Sequence, residues 1–227
     1  MTDDALSIEC LVGQSSQLMV CVENNVYLHR DVAPAFAQLR AAAARDGIDL
    51  AIASGFRAFE RQLTIWNDKA QGRRPVLDGA GHPLDISTLE ETELVFAILR
   101  WSALPGASRH HWGTDMDVWD RAAVASGYSL QLVPEEYAAA GPFARLDHWL
   151  ASPAIEALGF VRPYRANRGA VAPEPWHLSY QPVARSFAAR LTIDVLAQVI
   201  AASDMALKET VLANLHDIHD RFIAVYW

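Results

Sequence analysis

Cysteine is scarce: only Cys10 and Cys21 occur in 227 residues. Two cysteines do not make a stapled scaffold, so a disulfide-held mini-fold is excluded and both are expected as free thiols. Long hydrophobic runs are missing too. The most apolar window, "LVFAILRWSAL" (94–104), is short and interrupted by Arg100, so no membrane span is expected. The N-terminus, "MTDDALSIEC", has neither the basic stretch nor the apolar stretch of a secretory signal, and the chain as it stands reads as cytoplasmic. Lys and Arg are scattered without a basic stripe on a chain of net charge −8, which argues against a nucleic-acid partner. Internal repeats and low-complexity tracts are also lacking.

What is present is enough apolar material for a real core: 52% hydrophobic residues, 20% charged and seven Trp. "DVAPAFAQLRAAAARDG" (31–47) predicts a helix capped by Asp31 and ended by Gly47, with Val32, Phe36, Leu39 and Ala43 on one apolar face. "IDLAIAS" (48–54) follows as a short buried strand, and "FERQLTIWNDKAQG" (59–72) as a second helix stopped by Gly72. Residues 73–85 read as a loop. "STLEETELVFAILRW" (87–101) predicts a third helix opened by a capping box of Ser87 with Glu90. "TDMDVWD" (114–120) alternates polar and apolar, as a half-buried strand does. Residues 146–160 read as helical with a break near Pro153, and "GFVRPY" and "HLSY" as short strands. From Leu191 onward the chain turns helical, with two helices divided near Ser203. Few strands among many helices give an α+β class. Residues 1–182 are expected to form the main domain. Residues 183–227 are expected to form a helical extension packed on it, shaping a cleft or making a dimer contact.

The chemistry concentrates in "SRHHWGTDMD" (108–117), where two histidines and two aspartates crowd around one Gly. Zinc takes His nitrogen and carboxylate oxygen, and a catalytic site uses three protein ligands with the fourth position left for water. One His and one Asp separated by a Gly turn supply two ligands. "EPWHLSY" (174–180) offers a third, with a Glu three positions before its His. Residues three apart in a strand face opposite sides, so Glu174 and His177 share a pocket only if the chain bends, and Pro175 favours a bend. Spacing alone does not choose His110 over His111, nor Asp117 over Asp115. Histidines beside aromatics are commonly structural, and an Asp in a strand commonly faces water.

With these residues in view, the chain resembles the zinc D,D-carboxypeptidases and dipeptidases of the VanY-like and VanX-like family, grouped with the hedgehog-type metallopeptidases. "SRHHWGTDMD" fits their S-x-H-x-x-G-x-x-x-D pattern and "EPWH" their E-x-x-H signature. "SGFRAFERQ" resembles their upstream S-G-[YF]-R-S-x-x-x-Q segment, with Ala58 where Ser is usual. The three occur in the family's order, and the resemblance covers roughly residues 30–180. The resemblance implies a small antiparallel sheet carrying one zinc per chain, flanked by helices. It implies His110, Asp117 and His177 as the ligands and Glu174 as general base. Arg57, Gln62 and Ser108 would hold substrate, with Arg57 also a candidate to face developing charge. His111 is outside the ligand pattern and expected as a packed or supporting group. Asp115, on the same strand face as Asp117, is expected to hydrogen-bond a ligand, touch substrate or face solvent, and Trp176 to wall the pocket or pack in the core.

Residues and resemblance together give amide hydrolysis at zinc. The resemblance supplies the substrate, the D-amino-acid end of a peptidoglycan-derived peptide. L,D-carboxypeptidase and endopeptidase activity stand as alternatives, as does a non-catalytic zinc-containing peptide-binding module. Peptidoglycan lies outside the cytoplasm, so a periplasmic location or release by lysis stays open. His216 and His219, three apart on a helix, read as part of a solvated face. The sequence sets no oligomeric state.

Overall fold

The computed structural model describes residues 6–226. Its centre is a four-stranded antiparallel sheet built from β3 (Leu50–Ser54), β4 (Asp115–Asp120), β5 (Phe160–Val161) and β6 (His177–Tyr180), in the order β3-β4-β6-β5. A separate hairpin, β1 (Met19–Glu23) with β2 (Val26–His29), had no counterpart in the sequence reading. The two-residue connection Asn24–Asn25 has positive φ at both positions, the geometry of a tight hairpin turn that Asn tolerates. The predicted small antiparallel sheet flanked by helices is therefore what the chain forms.

Helices cover the sheet. In chain order they are α1 (Ile8–Leu11), α2 (Ala33–Arg45), α3 (Phe59–Ala70), α4 (Glu91–Leu99), α5 (Pro134–Tyr137), α6 (Ala144–Leu150), α7 (Pro153–Ala157) and α8 (Gln181–Ala188). The chain then continues with α9 (Ile193–Ala201), α10 (Lys208–Ala213) and α11 (Leu215–Ile218). α2 buries Phe36, Leu39 and Ala43, as its spacing requires, and Gly47 follows it at φ +71°. Its cap is Val32 rather than Asp31, because Pro34 in the first turn already fixes the entry. α4 starts later than expected. Ser87 sits in a 3-10 turn, Ile86–Thr88, where its hydroxyl donates to Asp85, and the capping box moves to Glu90 with Glu93.

β4 departs from its expected pattern as well. It is buried on both faces rather than half-buried: Met116 and Val118 enter the core, while Asp115 and Asp117 face a cluster of other polar groups instead of water. The C-terminal region is more broken than the two helices expected. After α11 comes a π-turn, His219–Ile223, and a 3-10 turn, Ala224–Tyr226. This region is tied to α3 by the Trp66 indole N–H on the Ala206 carbonyl (2.9 Å) and by Asn67, which bonds both Asp204 and Ala206. Among the described residues no helix is long and apolar enough to cross a membrane. Cys10 is buried and Cys21 exposed, and both are free thiols.

One glycine couples hairpin to sheet. Gly113 adopts φ +63° at the end of the 3-10 turn Arg109–Trp112, and its carbonyl accepts the His29 N–H at 2.9 Å. A Cβ there would lie 2.7 Å from the His29 nitrogen and would collide with the Met19 sulfur. Gly113→Ala is expected to cost at least about 2 kcal/mol from backbone strain and overlap. That lowers the thermal midpoint by about 4–8 °C in a chain of this size. An unchanged midpoint by differential scanning calorimetry contradicts this packing.

Candidate metal centre

Register builds the site. β4 and β6 pair so that Asp117 stands opposite His177 and Asp115 opposite Ser179, which puts all four side chains on one face. On the other flank the β3–β4 register shifts between Ile52 and Ser54, and this irregularity brings Ser54 opposite Asp117. The turn through Pro175 and Trp176, closed by the His177 N–H on the Glu174 carbonyl (3.1 Å), is the bend that the sequence required. It leaves Glu174 Oε2 at 3.3 Å from His177 Nδ1.

Each imidazole is oriented through one nitrogen and presents the other. His110 Nδ1 meets the Gly55 carbonyl at 2.8 Å, so it carries the proton, and Nε2 faces Asp117 Oδ2 at 3.4 Å. His177 Nε2 bonds Asp115 Oδ1 at 3.0 Å, and Nδ1 faces Asp117 Oδ1 at 3.2 Å. One donor atom from each of His110, Asp117 and His177 lies within 4.8 Å of the others. Three donors about 2.1 Å from one tetrahedral centre stand roughly 3.4 Å apart. Asp117 Oδ1 and His177 Nδ1 are buried without a hydrogen-bond partner, although they approach each other. Buried polar atoms are almost always satisfied. A cation between the imidazoles and Asp117 satisfies both atoms, and the donor set suits zinc.

The electrostatics agree. Burial pushes the Asp117 carboxyl up, but His110 and His177 overcome it and hold the group far below the ordinary carboxylate range. Burial likewise raises Asp115, while Arg109, His177 and Thr114 hold it low. Burial alone would depress His177, but the acids Asp115, Asp117 and Glu174 around its ring raise its basicity well above the ordinary value. One imidazole ringed by three carboxylates is a well of negative charge that a divalent cation neutralises.

Asp115 is fully buried rather than solvated. It accepts from Arg109 Nε (2.7 Å), Thr114 Oγ1 (2.6 Å) and Ser179 Oγ (3.1 Å) besides orienting His177. His111 presents no nitrogen to the site. Its Nδ1 lies 2.6 Å from the Arg57 carbonyl and its Nε2 accepts the Gly106 N–H at 3.1 Å, while burial drives its pKa down to about 3. It is a neutral strut that fixes the Arg57 backbone. Arg57 itself donates to Gln62 Oε1 (3.0 Å) and Ser54 Oγ (3.1 Å). Gln62 lies behind Arg57, fully buried and away from the cavity, with its amide on the Ala103 carbonyl at 2.7 Å. It holds Arg57 and does not line the cavity.

A cavity of about 220 Å³ opens over these groups, lined on its polar side by Arg57, Ser108, His110, Asp117, Glu174 and His177. Trp176 is buried, packs against the tilted Tyr137 ring at 5.6 Å and forms one wall. Sequence reasoning missed Arg109, Ser179 and Tyr164. Arg109 bonds both Asp115 and Ser179, and the Tyr164 ring packs edge-on to His177 at 4.8 Å. Ser179 was within reach of strand alternation from His177, whereas nothing local marks Tyr164.

Comparison with known proteins bears on this geometry. Residues 25–183 match the VanY family, described as D-alanyl-D-alanine carboxypeptidase. An uncharacterized protein of Haemophilus influenzae is 43% identical over 103 residues, 44% of this chain and 70% of that protein. A second from the same organism is 32% identical over 123 residues, 53% of this chain and 92% of that protein. The solved structure of VanYB in complex with D-alanine-D-alanine covers 85% of this chain and 87% of its own, with TM-score 0.52 and 20% identity, a likeness of fold.

The buried Asp115 hydrogen bond generates a test. Partners that orient a ligating His are worth 10–100-fold in metal affinity. Asp115→Asn is expected to weaken zinc binding by about that factor in competition with a chromophoric chelator. Equal affinity in variant and wild type contradicts the orienting role.

Proposed function

The chain belongs to the VanY D-alanyl-D-alanine carboxypeptidase family, and we propose that it is a zinc-dependent carboxypeptidase releasing the terminal D-amino acid of peptidoglycan-type peptides. The observation that supports this reading is one arrangement. Two imidazoles and a carboxylate converge, and a further carboxylate, Glu174, lies 3.3 Å from His177 Nδ1 on the wall of the same small cavity. His110, Asp117 and His177 would hold one zinc per chain. Zinc, when bound, supplies Lewis-acid polarisation of a carbonyl and lowers the pKa of a water to about 7.

The protein's own groups do the rest. Glu174 is free of the three-donor set and partly exposed to the cavity, so it can take the proton of the attacking water and hand it to the departing amine. Arg57 is held on two sides by Gln62 and Ser54, which leaves its remaining N–H donors for an anionic oxygen of the substrate. Its charge is matched by the nearby carboxylates of Asp117 and Glu174, against a burial that lowers its pKa. Trp176, buried on the cavity wall, would help exclude water, which would strengthen the electrostatic contacts inside. A binding module would have no need of Glu174 at this place.

Glu174→Gln is expected to keep zinc at one ion per chain while losing about 10²–10⁴ in kcat. Turnover at the wild-type rate removes Glu174 from the mechanism. Mass spectrometry of muropeptides incubated with the zinc-loaded enzyme is expected to show loss of a terminal D-alanine. Cleavage at an L,D bond or inside the stem would instead assign one of the related activities.

A further inference from the structure

The cavity has a second, apolar side, and part of it comes from far outside the matched region. The family match ends at residue 183, yet Phe222 and Ile223 line the cavity, together with Leu99, Leu132 and Val171. Resting on the reading above, we propose that the C-terminal segment 215–226 forms the pocket for the side chain of the residue released. Phe222 and Ile223 set its size and restrict it to a small apolar group.

Three observations carry this. The first is the local backbone. α11 passes directly into the π-turn His219–Ile223, and π-turns are rare and concentrate at functional sites. The turn ends at the two residues that face the cavity. The second is anchoring. The Tyr226 hydroxyl accepts the Val171 N–H at 3.2 Å, its carbonyl accepts from Arg109 at 3.4 Å, and its ring packs edge-on to Tyr164 at 4.8 Å. Phe222 is braced by the Phe96 ring at 5.8 Å, with the Arg221 guanidinium over both rings. The wall is thus held from α4, from the 171 loop and from the same Arg109 that bonds Asp115, so it is a fixed part of the site. The third is size and division of labour. About 220 Å³ is below the range of roughly 300–1,000 Å³ usual for drug-sized ligands. The polar lining comes from Arg57, Arg109, Glu174 and the candidate metal donors, and Phe222 and Ile223 with Leu99, Leu132 and Val171 supply the apolar lining, the part left for carbon.

The test is a selectivity ratio. Zinc-loaded wild type, Ile223→Ala and Phe222→Leu are assayed on three otherwise identical peptides ending in D-Ala-D-Ala, D-Ala-D-Leu and D-Ala-D-Phe. The wild type is expected to favour the D-Ala end by at least about 10-fold, the scale at which one or two methylenes are discriminated. In Ile223→Ala the kcat/KM ratio of D-Leu to D-Ala is expected to rise at least about 10-fold. A wild type that cuts all three ends equally, or a ratio unmoved in both variants, overturns the proposal. Isothermal titration of the same zinc-loaded proteins with free D-alanine and D-leucine reads the pocket without turnover. D-alanine preference in the wild type, relaxed in Ile223→Ala, supports the wall even where no peptide is hydrolysed. That outcome would sink the carboxypeptidase reading alone, whereas binding insensitive to both substitutions would sink the wall alone.

Discussion

Everything in this site depends on where Asp117 stands. The antiparallel pairing of β4 with β6 sets it opposite His177, and the 3-10 turn before β4 swings His110 to its other side. A carboxylate buried between two imidazoles without a cation is an expensive arrangement, and it leaves Asp117 Oδ1 and His177 Nδ1 without hydrogen bonds. Strand register, which allows no slip without reversing every side chain, is what holds it.

Around that carboxylate the fold sorts the remaining groups by what they touch. Asp115 and Arg109 fix the far side of His177, and the Gly55 carbonyl fixes the far side of His110. Gln62 and Ser54 aim Arg57, while His111, kept neutral by burial, holds the Arg57 backbone. These partners use their hydrogen bonds on one another, on the ligand residues and on nearby backbone. On the proposed reading, the cavity-facing atoms of His110, Asp117 and His177, with Arg57 and Glu174, would remain for chemistry, which is the division expected of a preorganised site.

Much of this was legible in the sequence because local chemistry encoded it. The spacing of Phe36, Leu39 and Ala43 fixed one face of α2, and Gly47 and Gly72 ended their helices with positive φ. Metal-grade residues in two short stretches, with the family resemblance, singled out His110, Asp117 and His177. What was not legible was set by tertiary context. Gln62 shares a helix face with Phe59 and Trp66, so its burial was written in the i, i+3 and i+4 spacing, but its partner across space was not. The burial of Asp115 depends on Arg109 and Ser179 arriving from a turn and a neighbouring strand. The cap of α4 moved because Ser87 had a nearer partner in Asp85. The reach of Phe222 and Ile223 into the cavity depends on a π-turn that hydrophobic periodicity does not announce.

The central claim is that two imidazoles and one carboxylate from two separate stretches of chain share a single cation. X-ray absorption spectroscopy of the zinc-loaded protein tests it most directly. The account predicts a nitrogen and oxygen shell at about 2.0–2.1 Å with the outer-shell scattering of two imidazoles. A sulfur shell at about 2.3 Å, or an oxygen shell without imidazole scattering, would contradict it.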